Sequence, residues 1–368
     1  MPPRKSFVSS IGLEPLFNRG SGSSSSSPST DESDTPKKSW YDYLPLCGTV
    51  SLILAPHPSL LYVLVDFHLK TLRQPLLFAT HIIITYGLTF LAFSSLIICV
   101  SRDPGPVTSN VSSPANGTAD DEVGLTEALM PDIDLSEPGR WCRKCWAPKP
   151  ERTHHCSQCG RCVLKMDHHC PWLGSSCIGH RTYPAFIHFL SSVTLLSIYI
   201  AIISISALWY AFHNPFTVNE ATPIQELILA FIGIIFTLVI GSFLCYHFYL
   251  ISTNQTTIEN ISPFLILRHL PPLRRGGHTL SDPPLEQELS SAQRRLVKDA
   301  HGAIRIYDVG WRSNWTQVFG LNRPFGWLIR IWYGGASPGD GRHFSRNRRA
   351  DEMLARLATE LVKIDRNI

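Results

Sequence analysis

"WCRKCWAPKPERTHHCSQCGRCVLKMDHHCPWLGSSCIGH", residues 141–180, carries seven cysteines and, before its closing histidine, four others. Pairs of the form C-x2-C with histidines at short offsets suit Zn²⁺. That ion takes four N or S ligands in a tetrahedron, and a two-residue gap lets one knuckle deliver two thiolates. The stretch is poor in apolar residues, so metal would substitute for a core. Two closed sites consume eight donors, whereas the stretch offers eleven before His180. An interleaved solution places Cys142, Cys145, His155 and Cys162 around one ion and Cys156, Cys159, His169 and Cys177 around the other. Spacing alone leaves that pairing open. With it, Cys170, His168 and His154 are left over. A leftover thiol beside a leftover imidazole is a nucleophile–base arrangement. Asp167, immediately before His168, is placed to fix its tautomer, as the third member of a triad does. The plainer alternative makes Cys170 an unneeded ninth ligand or an inert surface thiol.

Working outward, the chain turns apolar on both sides. Thr80–Val100, Tyr183–Phe212 and Ile224–Ile251 contain no Lys, Arg or Asp, and each is long enough for a membrane helix, which needs about 20 residues. A fourth run, Tyr43–Leu64, is interrupted by Pro45, Pro56 and Pro58. Buried core helices of a soluble enzyme are the alternative, and the lengths argue against it. Five Lys or Arg precede residue 43, two (Lys70, Arg73) lie in the first short loop and nine run from Arg102 to Arg181. None lies near residues 213–222, and seventeen follow Ile251. The positive-inside rule then puts both termini and the middle loop in the cytosol, which four spans satisfy. On that reducing side, metal ligation or reactivity outweighs disulfide formation. Cys47, Cys99 and Cys245, in or beside the apolar runs, read as small buried hydrophobes. Asn110 and Asn116 each begin an N-x-S/T sequon, and a glycan there would invert the topology.

The expected fold is therefore an α-helical integral membrane protein, with a cytosolic two-zinc cysteine-rich domain between helices 2 and 3 of four. Residues 1–40, with their "SGSSSSSPSTDESD", form a disordered tail that cannot bury enough apolar area to fold. Residues 41–101 hold the first two spans, 102–182 the zinc domain, 183–252 the last two spans and 253–368 a cytosolic tail. His81, Tyr86, Tyr199, Tyr246 and His247 inside the spans are expected to pair between helices rather than line a cavity. In the tail, "LPPLRRGGH" reads as a linker. Met353, Leu354, Leu357 and Leu361 share one helical face, which is expected to pack on the protein rather than on the membrane.

"DHHCPW" at 167–172, preceded by "HHCSQCGRCVLKM", resembles the cysteine-rich domain of DHHC-type protein S-acyltransferases (palmitoyltransferases). The likeness continues in "DPG" at Asp103–Gly105, in "TTIE" at Thr256–Glu259 and in "NWTQVFG" at Asn314–Gly320, covering about residues 41–320. It implies Cys170 as nucleophile, His168 as base, Asp167 as its orienter and zinc ligands paired as above. It also implies that Thr256, Thr257 and Asn314 tie the tails to the active-site domain without being catalytic. Two features depart from the family pattern. Four residues, Leu173 to Ser176, separate Trp172 from Cys177 where the family usually has three, and Thr182-Tyr183 replaces Asn-Tyr. A Gly-Ser-Ser bulge absorbs one residue cheaply, so Cys177 is still expected to ligate.

The resemblance implies transfer of a long-chain fatty acyl group from acyl-CoA to cytosolic-side cysteines of proteins through an acyl-enzyme on Cys170. Two structural Zn²⁺, long-chain acyl-CoA such as palmitoyl-CoA, the lipid bilayer and protein substrates with membrane-proximal cysteines are the expected partners. Nucleic acid is not among them. Arg140, Arg143, Lys144, Lys149, Arg152, Arg161, Lys165 and Arg181 are candidate cations for the CoA phosphates. The expected location is an endomembrane (ER, Golgi or vacuole) or the plasma membrane. A catalytically silent membrane-anchored zinc-binding adaptor is the rival, and it would not keep the Cys–His–Asp set. A RING-like ligase is a poorer rival, because the C-x2-C spacing does not fit one.

Overall fold

A computed structural model describes residues 39–107, 141–216, 222–273, 279–320, 330, 332 and 334–366. The expected Ser-rich tail up to residue 38, both sequons, Arg140 and residues 274–278 of the linker lie outside the described residues. Among the described residues, four helices are long and apolar enough to cross a membrane: Trp40–Thr71, Pro75–Ser101, Tyr183–His213 and Thr222–Ser252. Each carries at least 27 residues, which at about 1.5 Å per residue exceeds a hydrocarbon core of about 30 Å.

The first of these is the one that prolines were expected to break. It runs as α1 (Leu44–Leu54) and α2 (Pro56–Leu64), then widens into a π-helical end, Val65–Thr71. Pro45 falls in the first turn of α1, where a missing N–H leaves no bond unmade, and Pro56 opens α2 at the junction of the two segments. Ala55 still donates to the Ser51 carbonyl at 2.8 Å, so the path is continuous. The second span, α3, starts at Pro75, five residues before the expected Thr80. Tyr183–His213 (α4) and Thr222–Ser252 (α5) complete the set. α4 is the central span, packing against both α3 and α5. Close approach comes from small residues: a Cβ on Gly233 of α5 would lie 2.9 Å from the Ala201 amide of α4.

Between α3 and α4 the chain makes three antiparallel two-stranded hairpins: β1 (Trp141–Cys142) with β2 (Ala147–Pro148), β3 (His154–Cys156) with β4 (Arg161–Val163), and β5 (His168–Cys170) with β6 (Ser176–Ile178). The turn after α3 fastens this lobe to the bundle. Asp103 accepts from Arg161 at 2.6 Å and caps the Gly105 amide at 2.8 Å, while Leu164 donates to the Gly105 carbonyl at 2.9 Å. Gly179 lets the third hairpin close over that turn, since a Cβ there would sit 2.7 Å from Val163 and 3.0 Å from the Pro104 carbonyl.

After α5, the single turn α6 (Thr257–Ile261) leads to α7 (Ser291–Ala303), α8 (Trp311–Phe319) and α9 (Arg348–Arg366). α9 buries Leu354, Leu357 and Leu361 against Ile266, Leu267 and Val297, with Met353 at the edge. The amphipathic face thus packs on protein. Its core is separate from that of the bundle.

Candidate active site

The eight donors expected to ligate metal fall into two sets with the expected membership, Cys142, Cys145, His155 and Cys162 in one and Cys156, Cys159, His169 and Cys177 in the other. Within each set the ligand atoms all lie within 4.8 Å of one another. The hairpins explain the interleaving. Successive strand residues face opposite ways, so His155 and Cys156, neighbours on β3, serve different sets. Opposite residues of a pair share a face, so His155 meets Cys162 and His169 meets Cys177.

The donor separations suit a tetrahedral ion. With Zn–S near 2.3 Å and Zn–N near 2.0–2.1 Å, a tetrahedral edge from sulfur to nitrogen is about 3.6 Å. From His155 Nδ1 the sulfurs of Cys142, Cys145 and Cys162 stand at 3.6, 3.1 and 3.9 Å. From His169 Nδ1 those of Cys156, Cys159 and Cys177 stand at 3.6, 3.4 and 3.8 Å. Either set could hold one metal ion. The extra residue before Cys177 is taken up by a left-handed pair, Gly174 and Ser175, at φ 71° and 48°. That turn leaves the His169–Cys177 pairing intact and places the Ser175 hydroxyl 3.2 Å from His169 Nε2.

Strand alternation also answers what becomes of the seventh sulfur. On β5, His169 faces the second metal set, so His168 and Cys170 face the other way, together. Cys170 is 9% exposed and opens on a cavity of about 520 Å³. This falls within the usual range of small-molecule pockets, about 300–1,000 Å³. Leu52 and Ile53 of α1, Phe186, Leu190 and Leu196 of α4 and Phe243 of α5 form its apolar wall, with Trp172 beside the sulfur. Leu196 lines the cavity, whereas its neighbour Leu195 points outward, 53% exposed.

His168 and Asp167 are bound as a pair: His168 Nδ1 lies 2.7 Å from Asp167 Oδ2. Asp167 is itself buried and accepts from Thr257 twice, at 2.9 Å from the amide and at 2.8 Å from the hydroxyl. Burial works against ionising the Asp167 carboxyl. The hydrogen bond and charge of His168 and the donors of Thr257 outweigh it, so its pKa lies below the usual carboxylate value. Burial likewise opposes a charged ring at His168. Asp167, hydrogen-bonded to that ring, and the nearby Cys170 sulfur more than compensate and push it up to about 9. His154, the remaining donor, is different. Burial, opposed by Glu259 but reinforced by Arg268, Lys149 and Arg152, holds it down to about 4.

A thiol and an acid-oriented histidine, at the mouth of an apolar cavity between membrane-length helices, suit acyl transfer from an amphipathic donor. Comparison with known proteins agrees. Residues 135–263 match the family model for the DHHC palmitoyltransferase domain. "Probable protein S-acyltransferase 15" of Arabidopsis thaliana is 32% identical over 265 residues, covering 71% of this chain and 86% of the relative. The chain belongs to the DHHC palmitoyltransferase family. It is a protein S-palmitoyltransferase, an acyltransferase acting on protein cysteines. "Palmitoyltransferase pfa3" of Aspergillus fumigatus is 27% identical over 391 residues (83% of this chain, 69% of the relative). "Palmitoyltransferase ZDHHC15" of Rattus norvegicus is 32% identical over 219 residues (59% and 54%).

In this palmitoyltransferase two sequence expectations need correcting. Arg152 and Arg161, offered as cations for CoA, are engaged in ion pairs with Glu259 and Asp103 at 2.7 and 2.6 Å. Asn314 ties the tail to the end of α5, donating to the Ser252 carbonyl at 2.8 Å, rather than to the hairpin lobe. Thr257 does reach that lobe, by its two bonds to Asp167. Of the polar residues within the spans, His81 pairs with Tyr199 at 2.7 Å and His247 with Tyr183 at 3.1 Å, as expected, whereas Tyr246 donates to Asn260 in the turn after α5 at 3.0 Å and Tyr86, 46% exposed, makes a ring contact with His57. Sequence reasoning missed Asn254, Tyr307 and Phe344, which surround Arg152.

Proposed function

We propose that the enzyme transfers a long-chain acyl group from acyl-CoA to cytosolic-side protein cysteines through an acyl-enzyme on Cys170. The observation that carries this reading is the shared face of His168 and Cys170 on β5, turned from the metal donors toward the apolar cavity. The acyl chain would lie in that cavity, each buried CH₂ contributing about 0.8 kcal/mol. Among the described candidates neither buried nor held in an ion pair, Arg143, Lys144, Lys149 and Arg181 are available to the CoA phosphates. The two donor sets would hold structural Zn²⁺, which supply rigidity to the hairpins rather than chemistry.

In the first step Cys170 Sγ passes its proton to His168 Nε2 and attacks the thioester carbonyl. The tetrahedral intermediate collapses, the C–S bond to CoA breaks, and His168 gives the departing thiolate its proton from Nε2. Asp167, bonded to Nδ1, holds the ring with Nε2 facing the reaction. In the second step the substrate cysteine loses its proton to Nε2 and attacks the acyl-enzyme, releasing Cys170. One thioester is exchanged for another twice, so neither step is steeply downhill, which suits a covalent relay.

All but Lys70 and Arg73 of the 33 Lys and Arg fall in segments that the positive-inside rule assigns to the cytosol. The hairpin lobe, residues 102–182, and both termini are therefore placed on the cytosolic face. The spans 41–101 and 183–252 would stand in an endomembrane or the plasma membrane, and residues 253–368 form the cytosolic tail. Labelling of the purified enzyme with a fluorescent palmitoyl-CoA tests the chemistry. Cys170→Ser is expected to keep both ions and lose the acyl-enzyme, while His168→Ala keeps the ions and slows both steps by about 10²–10⁴-fold. Acyl transfer by the serine variant at the normal rate would refute the assignment.

A further inference from the structure

The guanidinium of Arg152 is buried, 6% exposed, and lies 107 residues in sequence from the carboxylate it pairs with. Its Nε and one terminal nitrogen donate to the two oxygens of Glu259, each at 2.7 Å. The other terminal nitrogen donates to Asn254 Oδ1, and the first donates again to the Asn254 carbonyl, both at 3.0 Å. The rings of Tyr307 and Phe344 cover it at 4.3 and 5.0 Å. Four hydrogen bonds from one planar fork thus fix two points of one short segment, Asn254 and Glu259. Between those points lies Thr257, the double donor to Asp167.

That segment is in need of fixing. α6 has five residues, far fewer than a helix requires to hold itself, and Asn254 before it is left-handed at φ 48°. Glu259 closes a capping box on Thr256, accepting its amide at 2.9 Å, with the same oxygen that takes one Arg152 bond. The main chain of Arg152 acts on the other partner: its carbonyl accepts from Met166, the residue before Asp167, at 3.2 Å. One residue therefore holds both the donor turn and the acceptor loop.

We infer that Arg152 is a positioning residue for acyl transfer, clamping the Asn254–Glu259 turn so that Thr257 keeps both hydrogen bonds to Asp167. The inference rests on the roles proposed for Asp167, His168 and Cys170. A buried ion pair is poor evidence for net stability but apt for fixing geometry. Only a planar fork meets Glu259 bidentately and Asn254 at once, so a lysine, a point charge on a flexible stem, cannot replace it.

The test uses the full-length enzyme in lipid nanodiscs and reads the single-turnover rate of acyl-enzyme formation from palmitoyl-CoA, together with zinc content. Arg152→Lys is expected to keep both ions and the apparent affinity for palmitoyl-CoA while slowing acylation about 10- to 100-fold, the cost of small misplacement. In a Thr257→Val background, which removes the hydroxyl bond to Asp167 and keeps the amide one, the same change should cost clearly less than it does alone, because the two act in part through one contact. Wild-type acylation by Arg152→Lys, or an undiminished cost on top of Thr257→Val, would overturn the inference. If Arg152→Lys fails to fold, Arg152→Met with Glu259→Gln removes the unpaired charge. Slow acylation by that folded double variant supports the role, and a wild-type rate refutes it. Asp167→Asn separates the two levels. A wild-type rate there defeats the triad reading and this inference with it, whereas a slow rate combined with additive Arg152 and Thr257 effects defeats this inference alone.

Discussion

The two metal-donor sets are built alike, three cysteines and a histidine on two hairpins, yet they stand in different relations to the chemistry. In the second set His169 is the residue immediately before Cys170, and Cys177 faces it across β5–β6, the hairpin that carries Cys170. In the first, all four donors lie on the other two hairpins. An ion in the second set would therefore fix where the Cys170 sulfur points, while one in the first would steady the platform on which that hairpin rests. Identical coordination chemistry does not mean equivalent function. What separates the sites is which strand each ion would freeze.

The largest effect should come from breaking the second set. Cys177→Ala is expected to release one ion of the two and to reduce acyl-enzyme to the level of Cys170→Ser, because His169 and its strand lose their anchor. Cys145→Ala should also release one ion, but it should keep acylation within about 100-fold of normal, the cost typical of disturbing an outer support. Metal analysis alongside labelling of both variants measures the contrast. Equal residual acylation would erase the distinction between the sites.

Much of this site was legible in the sequence because its logic is local. C-x2-C spacing and two adjacent His-Cys pairs are written within forty residues, and they suggested both donor sets and left Cys170 over, while the pairing itself stayed open until the strands showed it. Apolar length showed the four spans, the proline-interrupted first one included. What stayed hidden was long-range. Nothing near Arg152 in the chain announces Glu259, so a buried structural cation passed for a phosphate ligand. The separate core joining Val297 to Leu354 and Leu361 was equally out of reach, because an amphipathic face says that it will be covered without naming the cover.

A finer probe of the second set is the residue that distinguishes its hairpin. Ser175, in the left-handed turn, sets its hydroxyl 3.2 Å from His169 Nε2, the nitrogen opposite the one facing the cysteines. Such outer partners fix ring orientation, and their loss costs about 10- to 100-fold in metal affinity. Ser175→Ala should therefore make one of the two ions exchange more readily with a chelator, with the first set unchanged. Uniform release of both ions would show that the sites are coupled through the shared strand β3 rather than held separately.

The smallest effect concerns the connection between the sets, where Lys165 sits between Cys162 of the first and His169 of the second. It is 9% exposed, with its ammonium 5.4 Å from the Phe344 ring. Burial, reinforced by the like charge of Arg152 and only partly offset by Glu259 and Asp167, brings its pKa down to about 7. The unfolded chain holds that proton up to about pH 10.4, so between about 7 and 10 the unfolded state binds more protons than the native one. Stability then rises with pH through that window. Lys165→Met keeps the aliphatic length and removes the titration. Melting temperatures measured from pH 7 to 9.5 should rise for the wild-type enzyme relative to the variant, and the variant should be the more stable of the two at pH 7. A parallel pair of curves would mean that the ammonium finds solvent, and that the joint between the two metal sites is looser than its packing against Phe344 implies.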